Sequence, residues 1–419
     1  MKKEKKKIFI HNICCPRRAL DAEKILKYFC KNGYKRTTKP QDADMIFLIT
    51  CSLFNRTEAS SIKKIKEYQQ YKAELVVGGC LPDSGYKKVT EIFNGKIIST
   101  TNINKIDDFF PDNKVKFRDL EDSNKYYENI NDNKRFRLLK KKIISLVTRI
   151  IYGKYSVLYN NFLGNKIGKR IILRISQGCP KKCTYCIHPK IFDGVYSKAV
   201  EECIREFKKG LKEGYRYFRI EASDTGSYGL DIGSNLPALL DKITQIKGDY
   251  VIVLNNLNPD WLIRYIDDLK KIIKRKKISN IVVPIQSASP RILKLMKRKY
   301  DIERLKECFN ILSTLDPEIK IASHFIVGFP TETDEDFQLN LTLIEELKLS
   351  VGIFFKFSEC DDTPAANIFP KVSEKEMKNR MMQAGKNMKK LGYKIFFYSG
   401  KNEMYFDNND YFKYTKKYL

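Results

Sequence analysis

Short runs of consecutive apolar residues alternate along the chain with longer stretches whose apolar positions recur at helical spacing. Near the N-terminus, Lys7–Asn12, Asp44–Cys51 and Glu74–Cys80 read as strands, with Lys96–Ser99 a possible fourth, and Ala19–Lys31 and Arg56–Tyr71 read as helices between them. Strands this continuously apolar are covered on both faces, so the pattern predicts a small parallel α/β sheet. The alternation resumes near residue 170, with strands expected at Arg170–Ser176, Arg216–Ala222, Tyr250–Leu254, Asn280–Ile285, Lys320–Val327 and Gly352–Ser358. Helices are expected between them, among others at Lys198–Glu213, Pro237–Ile246, Asp260–Lys274 and Glu332–Leu347. Six such strand–helix units predict an incomplete parallel (βα)6 barrel of the TIM type, with functional groups at the C-terminal ends of the strands.

Between the two α/β regions the pattern changes. Asp112–Lys134 is polar and reads as a linker, after which Leu139, Ile143, Leu146, Val147 and Ile150 recur at helical spacing among Lys140, Lys141, Lys142 and Arg149. Such a basic amphipathic helix suits nucleic acid or a membrane surface, or packs its apolar face on the next domain. The organisation expected is therefore an α/β domain over 1–110, a linker and basic helix over 111–165, a partial barrel over 166–370 and a C-terminal helix with a short tail over 371–419.

Charge adds a partner class. Lysine and arginine total 79 against 50 acidic residues, a formal charge of +29, which favours a polyanion, nucleic acid first. A lysine-rich proteome would give the same excess. Eleven cysteines, an odd number scattered over a long chain, do not make a secreted disulfide framework. No apolar stretch is long enough for a signal peptide or a membrane span, so a reducing cytoplasm is the expected location.

The densest chemistry is Gly178-Cys179-Pro-Lys-Lys-Cys183-Thr-Tyr185-Cys186, a C-x3-C-x2-C loop just after a predicted strand. Thiolates are soft ligands suited to iron–sulfur clusters. Three cysteines on one loop ligate three irons of a [4Fe-4S] cluster and leave the fourth open to S-adenosylmethionine. One electron then splits the sulfonium bond and yields a 5′-deoxyadenosyl radical. A structural zinc site asks instead for four closed ligands, and His188 and Cys203 do not complete one.

At this loop the chain begins to resemble the methylthiotransferase branch of the radical S-adenosylmethionine enzymes. The resemblance continues through Asp224-Thr-Gly-Ser-Tyr-Gly-Leu-Asp231-Ile-Gly, Val283-Pro-Ile-Gln286-Ser287-Ala-Ser289, Lys294-Leu-Met296-Lys-Arg298-Lys-Tyr300, Phe325-Ile-Val-Gly328-Phe-Pro330-Thr-Glu332 and Thr363-Pro-Ala-Ala366. It implies a S-adenosylmethionine site involving Tyr185, Asp224, Gln286 and Ser287. It also implies a second [4Fe-4S] cluster on Cys15, Cys51 and Cys80, each at the end of a predicted parallel strand. Cys14 is an alternative to Cys15, whose spacing to Asp21 fits the family better. Within the family, the segment from Asp224 is most similar to enzymes that act on N6-threonylcarbamoyladenosine in tRNA and insert a methylthio group at carbon 2 of the adenine. One S-adenosylmethionine would methylate sulfur on the auxiliary cluster and a second would supply the radical, with electrons from a low-potential donor such as flavodoxin or ferredoxin.

The chain also departs from the family. After a helix at about Glu374–Lys390 only Leu391–Leu419 follows, enough for a hairpin but not for a full RNA-gripping β-barrel. Phe192-Asp193-Gly194 and Ser197-Lys198 stand where an Arg-Gly and a Ser-Arg are usual, Thr331 replaces a glycine, and Glu359-Cys-Asp-Asp362 replaces a segment containing arginine. These departures keep open a protein, peptide or specialised-pathway substrate beside tRNA.

Overall fold

The structure, a computed structural model, describes residues 5–125, 170–398 and 403–407. They fall in two units divided after Gly168. The basic helix expected near 139–151 lies outside the described residues.

In the first unit, strands β1 (Lys7–Asn12), β2 (Lys35–Arg36), β3 (Met45–Thr50), β4 (Glu74–Gly79) and β5 (Lys96–Ser99) form one parallel sheet in the order β2-β1-β3-β4-β5. Alternation splits its side chains between two cores. Ile8, Ile10, Phe47, Ile49 and Val76 pack with Ile25 and Phe29 of helix α1 (Pro16–Lys31). Phe9, Ile46, Leu48 and Val77 pack with Ile65 and Tyr68 of α2 (Asn55–Tyr68). Both faces are thus covered, which is why these strands read as unbroken apolar runs. Short helices α3 (Leu81–Ser84), α4 (Tyr86–Thr90) and α5 (Ile106–Phe109) complete the unit.

In the second unit, β6 (Arg170–Arg174) is followed by β7 (Ser176–Gly178), α6 (His188–Ile191), β8 (Val195–Ser197) and α7 (Val200–Lys212). Then come β9 (Tyr217–Glu221), α8 (Leu236–Thr244), β10 (Val251–Leu254), α9 (Pro259–Ile273), β11 (Ile278–Val282), α10 (Pro290–Leu295), α11 (Ile302–Leu315), β12 (Lys320–Val327), α12 (Asp334–Leu347) and β13 (Val351–Lys356). Strands β6-β9-β10-β11-β12-β13 pair in parallel, making the incomplete barrel. One face of this sheet carries Leu173, Phe218, Ile220, Leu254, Ile281 and Phe325, packed on helix residues such as Phe207, Leu262 and Phe337. The opposite face carries polar groups. There Glu221 accepts hydrogen bonds from Arg219 (2.8 Å), Asn255 (2.8 Å) and Asn256 (3.2 Å).

Several boundaries differ from the sequence expectation for identifiable reasons. The first barrel strand stops at Arg174, and Ser176–Gly178 turns away to pair antiparallel with Val195–Ser197. Helix α12 starts at Asp334 because Thr333 caps it, its hydroxyl accepting from the Asp336 amide while the Asp336 carboxylate accepts from the Thr333 amide. The expected strand at Asn280–Ile285 ends at Val282, ahead of the left-handed Gln286 (φ 77°). After α13 (Glu374–Lys390), the hairpin β14 (Lys394–Tyr398) and β15 (Glu403–Asp407) extends the barrel sheet, with β15 antiparallel to β13.

Helix α13 is tied to the end of β12 by a buried ion pair. Glu332 accepts from the Gly328 amide (2.7 Å) and from Arg380 (3.0 Å), and Arg380 also reaches Asp334 at 2.9 Å. Burial pushes the Glu332 carboxyl up from 4.5 to about 7, against the pull of the Gly328 amide and Arg380. The folded chain therefore binds this proton more tightly than the unfolded chain. Its stabilising contribution is present below about pH 4.5 and is lost as pH rises toward 7, at about 1.4 kcal/mol per unit. Urea unfolding at pH 5 and pH 8 should show wild type losing more stability over that interval than Glu332→Gln; equal losses would show that Glu332 does not titrate there.

Candidate active site

The thiol loop leaves β7 through Gly178, whose φ of +77° and position 1.9 Å (as a Cβ) from the Gly194 carbonyl leave no room for a side chain. Beyond it, Cys179 accepts from the Lys181 amide at 3.4 Å, and the Cys186 amide donates to the Cys183 carbonyl at 3.1 Å. The loop is anchored across the barrel mouth. Thr184 donates through its amide to Met296 O (3.2 Å) and through its hydroxyl to Leu295 O (2.8 Å), and its carbonyl accepts from the Ala365 amide (2.9 Å). Three sequence motifs far apart in the chain, around Cys183, Met296 and Ala365, therefore meet at one residue.

Asp224 lies beneath Cys179, with its Oδ2 3.9 Å from the Cys179 Sγ. It is buried, and its oxygens accept from Trp261 Nε1 (2.8 Å) and the amides of Gly226 (3.2 Å) and Asn258 (3.4 Å). Burial raises its carboxyl to about 6, while burial and Asp224 together push the Cys179 thiol well up. The carboxylate is thus engaged in shaping its own turn. Tyr185 packs partly buried against Ile292, Met296, Phe329 and Ala365. Gln286 sits at the C-terminal end of β11, its amide donating to His324 O (2.7 Å) and its carbonyl accepting from Ile326 (2.9 Å), and Ser287 beside it is fully buried.

Sequence reasoning passed over two neighbours of the loop. Trp261, the single tryptophan, stacks under Lys181 at 5.0 Å and holds Asp224. Arg298 lies inside a quoted motif, and its guanidinium reaches Cys183 Sγ at 3.9 Å. Composition signals the first; nothing in local sequence signals the contact of the second.

In the first unit, Cys51 and Cys80 follow directly on β3 and β4. The Cys14 thiol lies beside both, and burial together with these two neighbours pushes it up. Its proximity holds Cys51 down at about 6 and lowers Cys80 as well. Cys15, favoured by its spacing to Asp21, occupies the cap of α1 through its backbone, its carbonyl accepting from the amides of Arg18 (3.0 Å) and Ala19 (3.1 Å), and its side chain makes no cap hydrogen bond. Asn12 Oδ1 accepts from the Cys14 amide at 3.1 Å, and the Cys14 thiol donates to Thr50 O.

Among the described residues no three His, Cys, Asp or Glu side chains gather closely enough for one metal ion. A four-iron cluster makes a different demand, since each thiolate takes its own iron and the donors stand apart. Three soft donors on one loop, with Cys183 almost buried, fit that group. An open parallel barrel carrying such a loop at its mouth defines a cluster-dependent S-adenosylmethionine enzyme class.

The comparisons agree. The radical SAM superfamily matches residues 173–344, and an uncharacterized protein family, UPF0004, matches residues 7–99. A probable threonylcarbamoyladenosine tRNA methylthiotransferase of Pyrococcus horikoshii is 27% identical over 82% of this chain and 74% of its own length. The human threonylcarbamoyladenosine tRNA methylthiotransferase is 28% identical over 86% of this chain and 59% of its own length. The ribosomal protein uS12 methylthiotransferase RimO of Carboxydothermus hydrogenoformans is also 28% identical, over 89% and 80%. Among solved structures, the radical S-adenosylmethionine methyltransferase TsrM of Kitasatospora setae shares the fold (TM-score 0.58, 11% identity, 86% of this chain and 75% of that one). The chain belongs to the methylthiotransferase family of radical S-adenosylmethionine enzymes. It is an enzyme that transfers sulfur-containing groups.

A Cβ at Gly226 would fall 2.3 Å from Trp261. Gly226→Ala should displace the indole from Asp224 and shift the emission of the single tryptophan to longer wavelength; unchanged emission would show that the turn absorbs the methyl group elsewhere.

Proposed function

We propose that this enzyme inserts a methylthio group at carbon 2 of N6-threonylcarbamoyladenosine in tRNA. The observation that carries the reading is the set of archaeal and human relatives bearing that activity in their names over more than four-fifths of this chain. Two separate sets of three thiols, each at the C-terminal edge of a parallel sheet, support it. Cys179, Cys183 and Cys186 would hold one [4Fe-4S] cluster, and Cys51 and Cys80 with Cys14 a second. Bound together, the clusters and S-adenosylmethionine supply the radical and the sulfur. The chain's residues hold the loop, exclude water from its base and place Tyr185, Gln286 and Ser287 at the barrel mouth. The net positive charge suits an RNA partner. In the acidic segment Glu359-Cys-Asp-Asp362, Asp362 pairs with Lys190 and Glu359 with Lys371, each at 3.3 Å, which offsets part of its negative charge. The expected electron source is a low-potential flavodoxin or ferredoxin in a reducing cytoplasm; among the described residues no helix is long and apolar enough to cross a membrane.

A second reading, methylthiolation of a protein, is favoured by the equal identity to the uS12 enzyme. Mass spectrometry of tRNA nucleosides from cells with and without the gene separates the two. Loss of the 2-methylthio form of threonylcarbamoyladenosine in the deletion is the expected result; an unchanged nucleoside profile alongside a lost modification on a ribosomal protein would transfer the assignment.

The Cys14 assignment has its own test. In a Cys183→Ala background, Cys14→Ser should lower the iron retained per chain severalfold, whereas Cys15→Ser should retain it; the reverse pattern would return the ligand to Cys15.

A further inference from the structure

Among the described residues, Arg298 is the one cation buried against the thiol loop, and none of its hydrogen-bond partners is a carboxylate. Its side chain sits in the barrel wall, only 7% exposed. Nη2 donates to Asn258 Oδ1 (2.7 Å) and to Pro284 O (2.6 Å). Nη1 lies 3.4 Å from the Tyr185 hydroxyl and 3.9 Å from Cys183 Sγ. The ring of Tyr300 lies 5.4 Å from the guanidinium carbon, and Nε is buried with no hydrogen-bond partner. Among the described residues every hydrogen-bonding partner is a carbonyl, an amide oxygen, a phenol or a thiol, and none is a carboxylate.

A guanidinium held out of water without a carboxylate is costly, and such a charge persists where something anionic compensates it. The nearest such group is the Cys183 sulfur once it ligates the cluster. The backbone reinforces the placement: Lys297 takes a left-handed conformation (φ 54°) and the Arg298 amide closes on Leu293 O at 2.8 Å, which turns the side chain inward. On the other side of the loop the buried charge is negative, Asp224 under Cys179. The two ends of one loop are therefore oppositely charged.

We propose that Arg298 is a positioning residue that serves as the buried counter-ion of the cluster on Cys179, Cys183 and Cys186, holding Cys183 in place and raising the cluster's reduction potential. The inference rests on the assignment of that cluster to those three cysteines. A fixed positive charge beside a ligand sulfur stabilises the more negative, reduced state and so shifts the one-electron couple upward. The electron is supplied by an external one-electron reductant, dithionite in the test, and no bond forms or breaks.

The test uses the full chain carrying Cys14→Ser, Cys15→Ser, Cys51→Ala and Cys80→Ala, so that only the barrel cluster remains. Iron per chain and the midpoint of the electron paramagnetic resonance signal are followed during dithionite titration. Relative to that parent, Arg298→Gln should lower the ratio of reduced to oxidised cluster about tenfold at the parent's midpoint, a fall of about 59 mV for a one-electron couple. Arg298→Lys, which keeps the charge, should titrate close to the parent. A glutamine variant that holds its iron and titrates at the parent's midpoint overturns the proposal. Should the glutamine variant fail to hold iron, the lysine variant decides: iron held at the parent's potential supports the counter-ion role, and iron lost from both overturns it in favour of a purely steric one. A parent that holds no iron overturns the cluster assignment itself, and the proposal with it, before any change at Arg298.

Discussion

Parallel strand pairing is the constraint from which the rest follows. In each unit every strand of the parallel sheet runs the same way, so every strand ends on one edge, and whatever follows each strand is delivered there. Cys51 after β3 and Cys80 after β4 share one edge by this rule alone. So do the thiol loop after β6 and β7, the Asp224 turn after β9, Gln286 after β11 and Gly328 after β12. Long-range hydrogen bonds at Thr184 then tie the thiol loop to the end of α10 and to the segment after β13.

This geometry explains what was legible in the sequence. A strand covered on both faces shows as an unbroken apolar run, as β3 and β4 do, whereas β9 and β12 interrupt theirs with Arg219, Glu221 and His324. The thiol loop was legible because its spacing is local and its chemistry specific. Elements of three residues, such as β7 and β8, carry too few positions to show a period, and their pairing depends on Gly178 meeting Gly194. The start of α12 fell two residues beyond the expected Glu332, where Thr333 caps it.

Adjacent residues posed the harder problem. Cys14 and Cys15 are equivalent in composition, and motif spacing favoured the second. In the structure the Cys15 carbonyl caps α1, a backbone role in which its side chain takes no part, and the Cys14 sulfur lies beside Cys51 and Cys80. Asp224, which the resemblance implies for the S-adenosylmethionine site, has its oxygens engaged by an indole and two amides. Trp261 and Asn258 reach Asp224 from more than thirty residues away, and no local pattern records that contact.

The hairpin β14–β15 has a further effect on the open barrel. A half-closed sheet ends in a strand whose outer amides and carbonyls are a template for any passing chain. Here β15 takes up that side of β13 from Val351 to Phe355. The exposed rung is moved outward to β14, a strand that opens with Lys394 and lies beyond the parallel array. On this side the sheet thus changes direction at its last two strands, which carry none of the site residues, while β6 forms its opposite edge.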